Sequence, residues 1–446
     1  EGAMLHFHRP PHRLSPAQCA LLVSMIPAPN RYDPEKRPEI SKERRDGILK
    51  RLYERSKLHE EEYQKALIEP IPDRKYKISG AFPIVSDFVK WELQGWMGEK
   101  DLVSKGYSIS TTLLSDYQLA AEKAISEGLQ ELETTYPELK KHPQPLQAAL
   151  VCLQGKTGEI LAIVGGRDAQ VGDYNRALQS KRQIGSLMKP FVYLCAFEQT
   201  LAGQGNWFPN TLILDEPVVI KTEQGEWKPE NYTKKYLGEV TLRKALEKSL
   251  NLPAVKLGQQ IGLDTLVTFL DRTQIMHCSA NPSLPLGTIE LTPLEVAQLY
   301  TLFLNDGMIR NALMVREILD SHQRVLYKKS SDPRTVASPI STYQVLSMLK
   351  GVLERGTARE IHQHGWQGIA AGKTGTAAKY IDSWFVGMTP DLVTVVWIGF
   401  DRPESLQLTG SEAAMPIWAR FMKQLYPDGN SRDFDIPPGV IRIPIV

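Results

Sequence analysis

Ala370-Ala371-Gly372-Lys373-Thr374-Gly375-Thr376-Ala377 passes through a polar turn into Asp382-Ser383-Trp384-Phe385-Val386-Gly387. Two extended runs around a short turn predict an antiparallel hairpin. The first run is built of small residues, so a second backbone can lie along it as an added strand. Lys373 with the hydroxyls of Thr374 and Thr376 suits a carboxylate, and an N–H near Thr376 suits a developing oxyanion. Lys-Thr-Gly alone is not diagnostic, because it often simply ends a strand. A second copy, Lys156-Thr157-Gly158, separates two apolar runs, 148–153 and 159–164, and reads as the turn of another hairpin with no catalytic part.

Upstream of the first hairpin, Ser249-Leu250-Asn251 follows a helical stretch over 240–248 with Thr241 as its cap. Leu252-Pro253 is expected to stop or turn that helix, so Ser249 and Asn251 project from its end. There a hydroxyl can shuttle a proton and an amide can hold a peptide backbone, although Ser and Asn also end helices simply by bonding to the backbone. Farther upstream, Gly185-Ser186-Leu187-Met188-Lys189-Pro190 sets a hydroxyl and an amine three residues apart, on one helix face. Proline is tolerated only within about the first turn, so the helix starts near Ser186 and leaves its N–H free for an oxyanion. A serine hydroxyl is a poor nucleophile without a base in reach. Lys189, followed by apolar Phe191-Val192-Tyr193-Leu194, is pushed toward its neutral, proton-accepting form by desolvation and by a second cation, for which Lys373 is the candidate. Either lysine can serve as the base; Lys189 is preferred because its spacing fixes it beside the serine. Ser-x-x-Lys recurs by chance roughly once or twice in a chain of this length, and Ser279-Ala280-Asn281 is a second Ser-x-Asn. Order and context therefore carry the reading.

The order Ser186-x-x-Lys189, Ser249-x-Asn251, Lys373-Thr374-Gly375 resembles the active-site set of the penicillin-recognising serine transferases and hydrolases. The surroundings are similar to the transpeptidase half of the bifunctional, class A penicillin-binding proteins. The similar segments before and just after the serine are Gly165-Gly166-Arg167, Tyr174-Asn175-Arg176-Ala177, Phe208-Pro209-Asn210-Thr211 and Asp215-Glu216-Pro217. Further on they are Asn231-Tyr232, Gly238 to Arg243, Leu291 to Ala297 and Gly356-Thr357-Ala358. The likeness spans roughly residues 100–425 and leaves Ser279/Asn281 in a variable loop. Leu14 to Val23, Pro27 to Pro34 and Glu43 to Leu49 resemble the closing helices of that family's glycosyltransferase domain. The part that carries the catalytic glutamate of that domain has no counterpart here, so no glycan polymerisation is expected of this chain.

The resemblance implies an α+β fold of the penicillin-binding-protein and serine β-lactamase type: an antiparallel sheet covered by helices, with a small helical N-terminal remnant. It implies Ser186 as nucleophile, with Lys189, Ser249 and Lys373 handling protons. Asn251, Thr374, Gly375 and Thr376 would bind substrate, and the N–H groups of Ser186 and Thr376 would form the oxyanion hole. The implied reaction is D,D-transpeptidation of peptidoglycan stem peptides at D-Ala-D-Ala, with β-lactam antibiotics acylating the same serine and no cofactor. A D,D-carboxypeptidase or β-lactamase shares the trio but passes the acyl group to water, and no added water-activating glutamate is identifiable. A non-catalytic β-lactam sensor would need neither the complete trio nor the glycosyltransferase remnant.

Composition is that of an ordinary globular protein: 446 residues, 42% hydrophobic, 23% charged. A net charge of +2 makes no case for nucleic acid. No apolar run approaches the ~20 residues that span a bilayer, so the family resemblance implies a piece of a membrane-anchored enzyme on the extracytoplasmic, periplasmic face. Cell-wall synthesis partners are not legible. The expected organisation is a glycosyltransferase remnant over 1–66, with residues 1–4 a cloning remnant. A connector over 67–145, the transpeptidase domain over 146–430 and an extended tail over 431–446 follow. Within the connector, 85–97 reads as helix, 108–112 as strand and 115–132 as an amphipathic helix apolar at Leu119, Ala120, Ala124, Ile125 and Leu129. Cys152 and Cys195 fall in apolar patterns and are expected as buried free thiols. His6, His8, His12, His362 and His364 come without the carboxylate or cysteine partners a metal needs, so no metal is expected. Trp366, Trp384 and Trp418 are expected in the core.

Overall fold

The computed structural model describes residues 3, 7, 14–29, 31–34, 36–71, 83–93, 96–98, 105–168, 173–222, 225–330 and 332–441. The histidines at 6, 8 and 12, and most of the proposed cloning remnant, lie outside them. The chain divides into two units, Glu1–Pro83 and Ile84–Val446.

The first unit contains helices Pro16–Met25, Pro38–Glu54 and Glu60–Ile68. Ser15 caps the first through a reciprocal box with Gln18, and each of the first two carries proline in its opening turn, where no donor is lost. Ala17, Ala20, Leu49 and Ala66 form its small core. Small side chains let these helices approach closely while the heavily charged faces stay in water.

In the second unit the decisive feature is a five-stranded antiparallel sheet. Its strands are β1 (Gln147–Gln154), β2 (Ile160–Val164), β3 (Ala371–Thr376), β4 (Asp382–Met388) and β5 (Leu392–Gly399), in spatial order β3-β4-β5-β1-β2. β5 and nearly all of β1 are buried, as their mainly apolar sequences require of central strands covered on both faces. The register runs Lys373↔Val386, Val386↔Val395, Val395↔Val151 and Val151↔Ile163. Lys373 thus ends a row of branched aliphatic residues on one face of the sheet.

The helices that position the site are α1 (Ser115–Thr135), α2 (Lys189–Leu201), α3 (Leu242–Glu247), α4 (Asn251–Ile261), α5 (Pro339–Glu354) and α6 (Ala414–Leu425). Phe385 stacks edge-on against Trp418 of α6 at 5.5 Å. A Cβ on Gly387 would fall 2.2 Å from the Trp418 ring. The alternate residue, Trp384, belongs to the opposite face with Gly375, whose missing Cβ makes room for Leu187 at 2.8 Å. One face of the sheet therefore meets α6, and the other meets the turn that precedes α2. Trp366, Trp384, Trp397 and Trp418 are all fully buried, each removing roughly 150–250 Å² from water.

This unit begins at Ile84, inside the stretch read from sequence as a connector. A helix covers Pro83–Leu93, and Ser108–Thr111 pairs antiparallel with Val315–Leu319. The buried face of α1 corrects the sequence expectation at one position: Leu119 is 55% exposed, while Gln118, Ala121, Gly128 and Leu132 join the buried set. Gln118 is drawn inward by hydrogen bonding. Its amide donates to the Ile163 carbonyl and accepts from the Ile163 N–H, both at 2.9 Å, so a side chain completes the edge of β2. Cys152 and Cys195 are buried free thiols. Burial pushes each thiol up to about 12. Among the described residues no helix is long and apolar enough to cross a membrane.

Candidate active site

Ser186 sits in a 3₁₀ turn, Gly185–Met188, that runs directly into α2. Pro190 occupies the first turn of α2, where its missing N–H costs nothing. Gly185 has φ +53, and a Cβ there would lie 2.5 Å from the Thr376 carbonyl oxygen. Only glycine lets the turn press this closely on β3. From the other side, the Tyr300 hydroxyl donates to the Leu187 carbonyl at 2.8 Å. The turn is thereby fixed from both flanks, and Ser186 remains partly accessible between them.

The Ser186 hydroxyl makes no hydrogen bond to a described residue, Lys189 included. Lys189 instead donates to the Ser249 carbonyl at 2.6 Å, to Asn251 Oδ1 at 2.7 Å and to Ser249 Oγ at 3.3 Å. Lys373 donates to the same Ser249 Oγ at 2.8 Å and to the Thr374 carbonyl at 2.9 Å. Both lysines are fully buried. Desolvation holds Lys189 well below the usual lysine range, and the charge of Lys373 depresses it further. Desolvation lowers Lys373 to about 7. Two amines of unusually low basicity thus share one hydroxyl, an arrangement suited to passing a proton in either direction.

Ser249 stands between α3 and α4 with φ +54, a left-handed conformation rare for a side-chain-bearing residue. Thr241 caps α3 as the sequence implies, accepting the Lys244 N–H at 3.1 Å. The helix ahead of Leu252-Pro253 does stop, at Glu247, but a second one follows at once: Asn251 opens α4, and Pro253 falls in its first turn. Asn251 has one end of its amide on Lys189 and the other on the Glu230 carbonyl at 2.7 Å. One N–H of that amide remains for any substrate.

β3 forms the free edge of the sheet. The Ala377 N–H donates to the Asp382 carbonyl at 3.0 Å. By antiparallel alternation, the backbone groups of Thr376 and Thr374 point the other way, off the edge. The Thr376 N–H and the turn bearing Ser186 therefore face the same open side. Thr376 Oγ1 accepts the Gly410 N–H at 3.2 Å, which fixes its rotamer.

Gly356-Thr357-Ala358 shows no role in the sequence beyond its family likeness. The Thr357 hydroxyl pairs with the Thr374 hydroxyl at 2.8 Å. The buried carboxylate of Glu247 takes two bonds from Arg355, at 2.9 and 2.6 Å. The Glu247 carbonyl accepts the Thr357 N–H at 3.1 Å, and a Cβ on Gly356 would lie 2.4 Å from that oxygen. Burying Glu247 at the end of α3 thus ties α3 to β3 through Thr357. The signal in sequence was the glycine before the threonine. Tyr232 and Tyr380 were likewise missed; their rings meet edge-on at 5.6 Å and join the Asn231 loop to the β3–β4 turn.

The two decoys fall elsewhere. Asn281 closes a local turn with Ser283 at 2.8 Å, and Lys156-Thr157-Gly158 makes the β1–β2 turn. Among the described residues no group of three or more His, Cys, Asp or Glu side chains is placed to hold a metal ion.

The penicillin-binding protein transpeptidase domain model matches residues 148–423, and the transglycosylase model matches residues 1–53. The chain belongs to the penicillin-binding proteins, with the transpeptidase domain and N-terminal transglycosylase segment of the bifunctional, class A members. It is 34% identical over 431 residues to penicillin-binding protein 1B of Vibrio cholerae serotype O1, covering 96% of this chain and 54% of that protein. It is 32% identical over 434 residues to penicillin-binding protein 1B of Escherichia coli strain K12, covering 96% and 50%. The chain spans about half the length of these relatives. The crystal structure of penicillin-binding protein 1A from Haemophilus influenzae superimposes with a TM-score of 0.76 at 24% identity, covering 98% of this chain and 84% of that one.

Proposed function

We propose that this chain cross-links peptidoglycan stem peptides as a serine D,D-transpeptidase and is acylated by β-lactams. The observation that carries the reading is the convergence of Lys189 and Lys373, both buried and weakly basic, on the Ser249 hydroxyl beside the Ser186 turn. Ser186 Oγ attacks the carbonyl between two terminal D-alanines while its proton passes to Lys189. The N–H groups of Ser186 and Thr376 hold the oxyanion. The C–N bond then breaks, and the leaving D-alanine takes a proton through Ser249 and Lys373. Lys373, Thr374 and Thr376 hold its carboxylate, and Asn251 holds the backbone of the stem lying along β3. An amine of a neighbouring stem attacks the ester, returns the proton to Ser186 and completes the cross-link. No cofactor enters. The family also supports anchoring to the bacterial cytoplasmic membrane, with this domain on the extracytoplasmic face.

The test is intact-mass spectrometry during reaction with benzylpenicillin, alongside Ser186→Ala. A stable single adduct that requires Ser186 is expected. An adduct on Ser186→Ala sinks the assignment, and one that clears within seconds points to a hydrolase.

A further inference from the structure

Asp215 is the least expected buried charge in the molecule. It ends the strand Leu212–Asp215, which pairs antiparallel with Gly238–Thr241. On this strand Leu212 and Leu214 face outward, 55% and 47% exposed, while Asp215 is 0% exposed. A one-residue slip would exchange the two faces. The fold instead buries Ile213 with a carboxylate and leaves two leucines in water, a choice that hydrophobic burial alone does not favour.

The carboxylate has specific partners. Asp215 Oδ1 accepts Asn231 Nδ2 at 2.6 Å, and Oδ2 accepts the Leu237 N–H at 2.9 Å. Asn231, only 3% exposed, then faces the candidate active site with its other end. Its Oδ1 accepts the N–H of Asn251 at 2.8 Å and that of Leu252 at 3.3 Å. Those are two of the orphan donors that open α4. The same loop supplies the Glu230 carbonyl, which takes Asn251 Nδ2 and leaves Oδ1 turned toward Lys189. Backbone and side chain of Asn251 are therefore both held by the segment that Asp215 anchors.

We propose that Asp215 and Asn231 are positioning residues that act through Asn251 to orient Lys189 for proton transfer. Asp215, together with the Lys235 carbonyl at 3.0 Å, fixes which end of the Asn231 amide points at α4, because both can only accept and so take its N–H groups. Asn231 fixes the start of α4, and the start of α4 fixes the acceptor for Lys189. The groups facing Lys189 are Lys373 from β3, Ser249 and Asn251 from the α3–α4 junction, and the Asn231 loop behind them. Asp215 also lies near the buried Tyr193 hydroxyl, one turn along α2. The inference rests on the transpeptidase reading for its kinetic consequence, but not for its geometry.

The test measures benzylpenicillin acylation of the chain and of Asp215→Asn, Asn231→Asp and the double exchange, from about pH 5 to 9. Each single variant is expected to lose roughly 10–100-fold in the plateau rate through misplacement of Lys189. The acidic limb should also move toward lower pH, because an ammonium that loses an acceptor is less stable. The double exchange restores one donor facing one carboxylate and should recover part of the rate. A lower plateau with an unmoved limb and no recovery would mean bulk support only, and overturns the proposal. So do parent-like rates at every pH. Titration of lysine-labelled protein by NMR reads Lys189 without penicillin. An unchanged Lys189 titration in folded single variants overturns the positioning role even if the parent is not acylated, whereas a missing parental adduct alone counts against the transpeptidase reading.

Discussion

The chain contains Lys-Thr-Gly twice, in hairpins of the same sheet, and the two copies have opposite fates. Lys156 stands at the β1–β2 turn, its side chain 56% exposed and 3.8 Å from Asp435. Lys373 lies inside β3, fully buried at the end of a row of valines. The glycines differ as well. Gly158 is needed for its backbone, with φ +75 closing the turn, whereas Gly375 is needed for its absent side chain beside Leu187 and Trp384. What decides is the neighbourhood. Gln154 caps the first copy by accepting the Lys156 and Thr157 N–H groups at 2.7 and 2.9 Å, which makes a turn. Ala370-Ala371-Gly372 leads the second into a close-packed strand. Three letters do not specify a site; the burial imposed on their lysine does.

The lysines give the strongest way to break this contrast. Lys373→Ala should slow benzylpenicillin acylation by roughly 10²–10⁴-fold, while Lys156→Ala stays at the parental rate; equal rates for the two variants would erase the distinction. The same lysine makes a stability prediction. Its folded value of about 7 lies below the ordinary 10.5. Between those values the unfolded chain holds a proton that the folded chain lacks, so stability rises with pH across the window. Below about 7 both states are protonated, and the full cost of burying the charge remains. Calorimetry of Lys373→Met against the parent should therefore show a difference more favourable to the variant at acid pH than at about pH 10. No such trend is expected for Lys156→Met.

The glycines sharpen the comparison at a smaller scale. Gly375→Ala must displace Leu187, next to Ser186, and should cost about 1–3 kcal/mol together with much of the acylation rate. Gly158→Ala also destabilises, because of its positive φ and an Asn311 carbonyl 2.7 Å from the new Cβ, but it should acylate normally. Melting temperatures and acylation rates measured together separate the two. The smallest effect is reserved for Thr376→Ala. It removes one hydroxyl but leaves the backbone N–H on the open edge, so acylation should slow by only about 3–10-fold. A loss as large as that for Lys373→Ala would mean that the hydroxyl, not the N–H, is the contribution of Thr376.

Much of this arrangement is written locally. The β3–β4 hairpin and the turn before α2 follow from short patterns of small residues, proline and apolar runs, and they form where the sequence puts them. What the sequence hides depends on partners distant along the chain. Gln118 is buried because the edge of β2 needs a donor and an acceptor, and no periodicity in α1 reports that need. Pro253 reads as a helix stop until Asn231 supplies an acceptor for the N–H groups just before it, which lets α4 begin there. The spacing of Ser186 and Lys189 suggests a direct bond, yet Ser249 and Asn251 claim the amine first. Burial of Asp215 runs against hydropathy altogether. Local grammar located the residues, while long-range polar contacts set their directions.

Ser249 is a side-chain-bearing residue held at φ +54. Left-handed backbone costs such a residue roughly 1–2 kcal/mol relative to glycine, so at this position durability and chemistry ask for different amino acids. Any search for heat-tolerant forms of this fold that rewards melting temperature alone will drift toward glycine there. It would then remove the hydroxyl that both buried lysines address, and on the mechanism proposed above the resulting protein would be robust and idle.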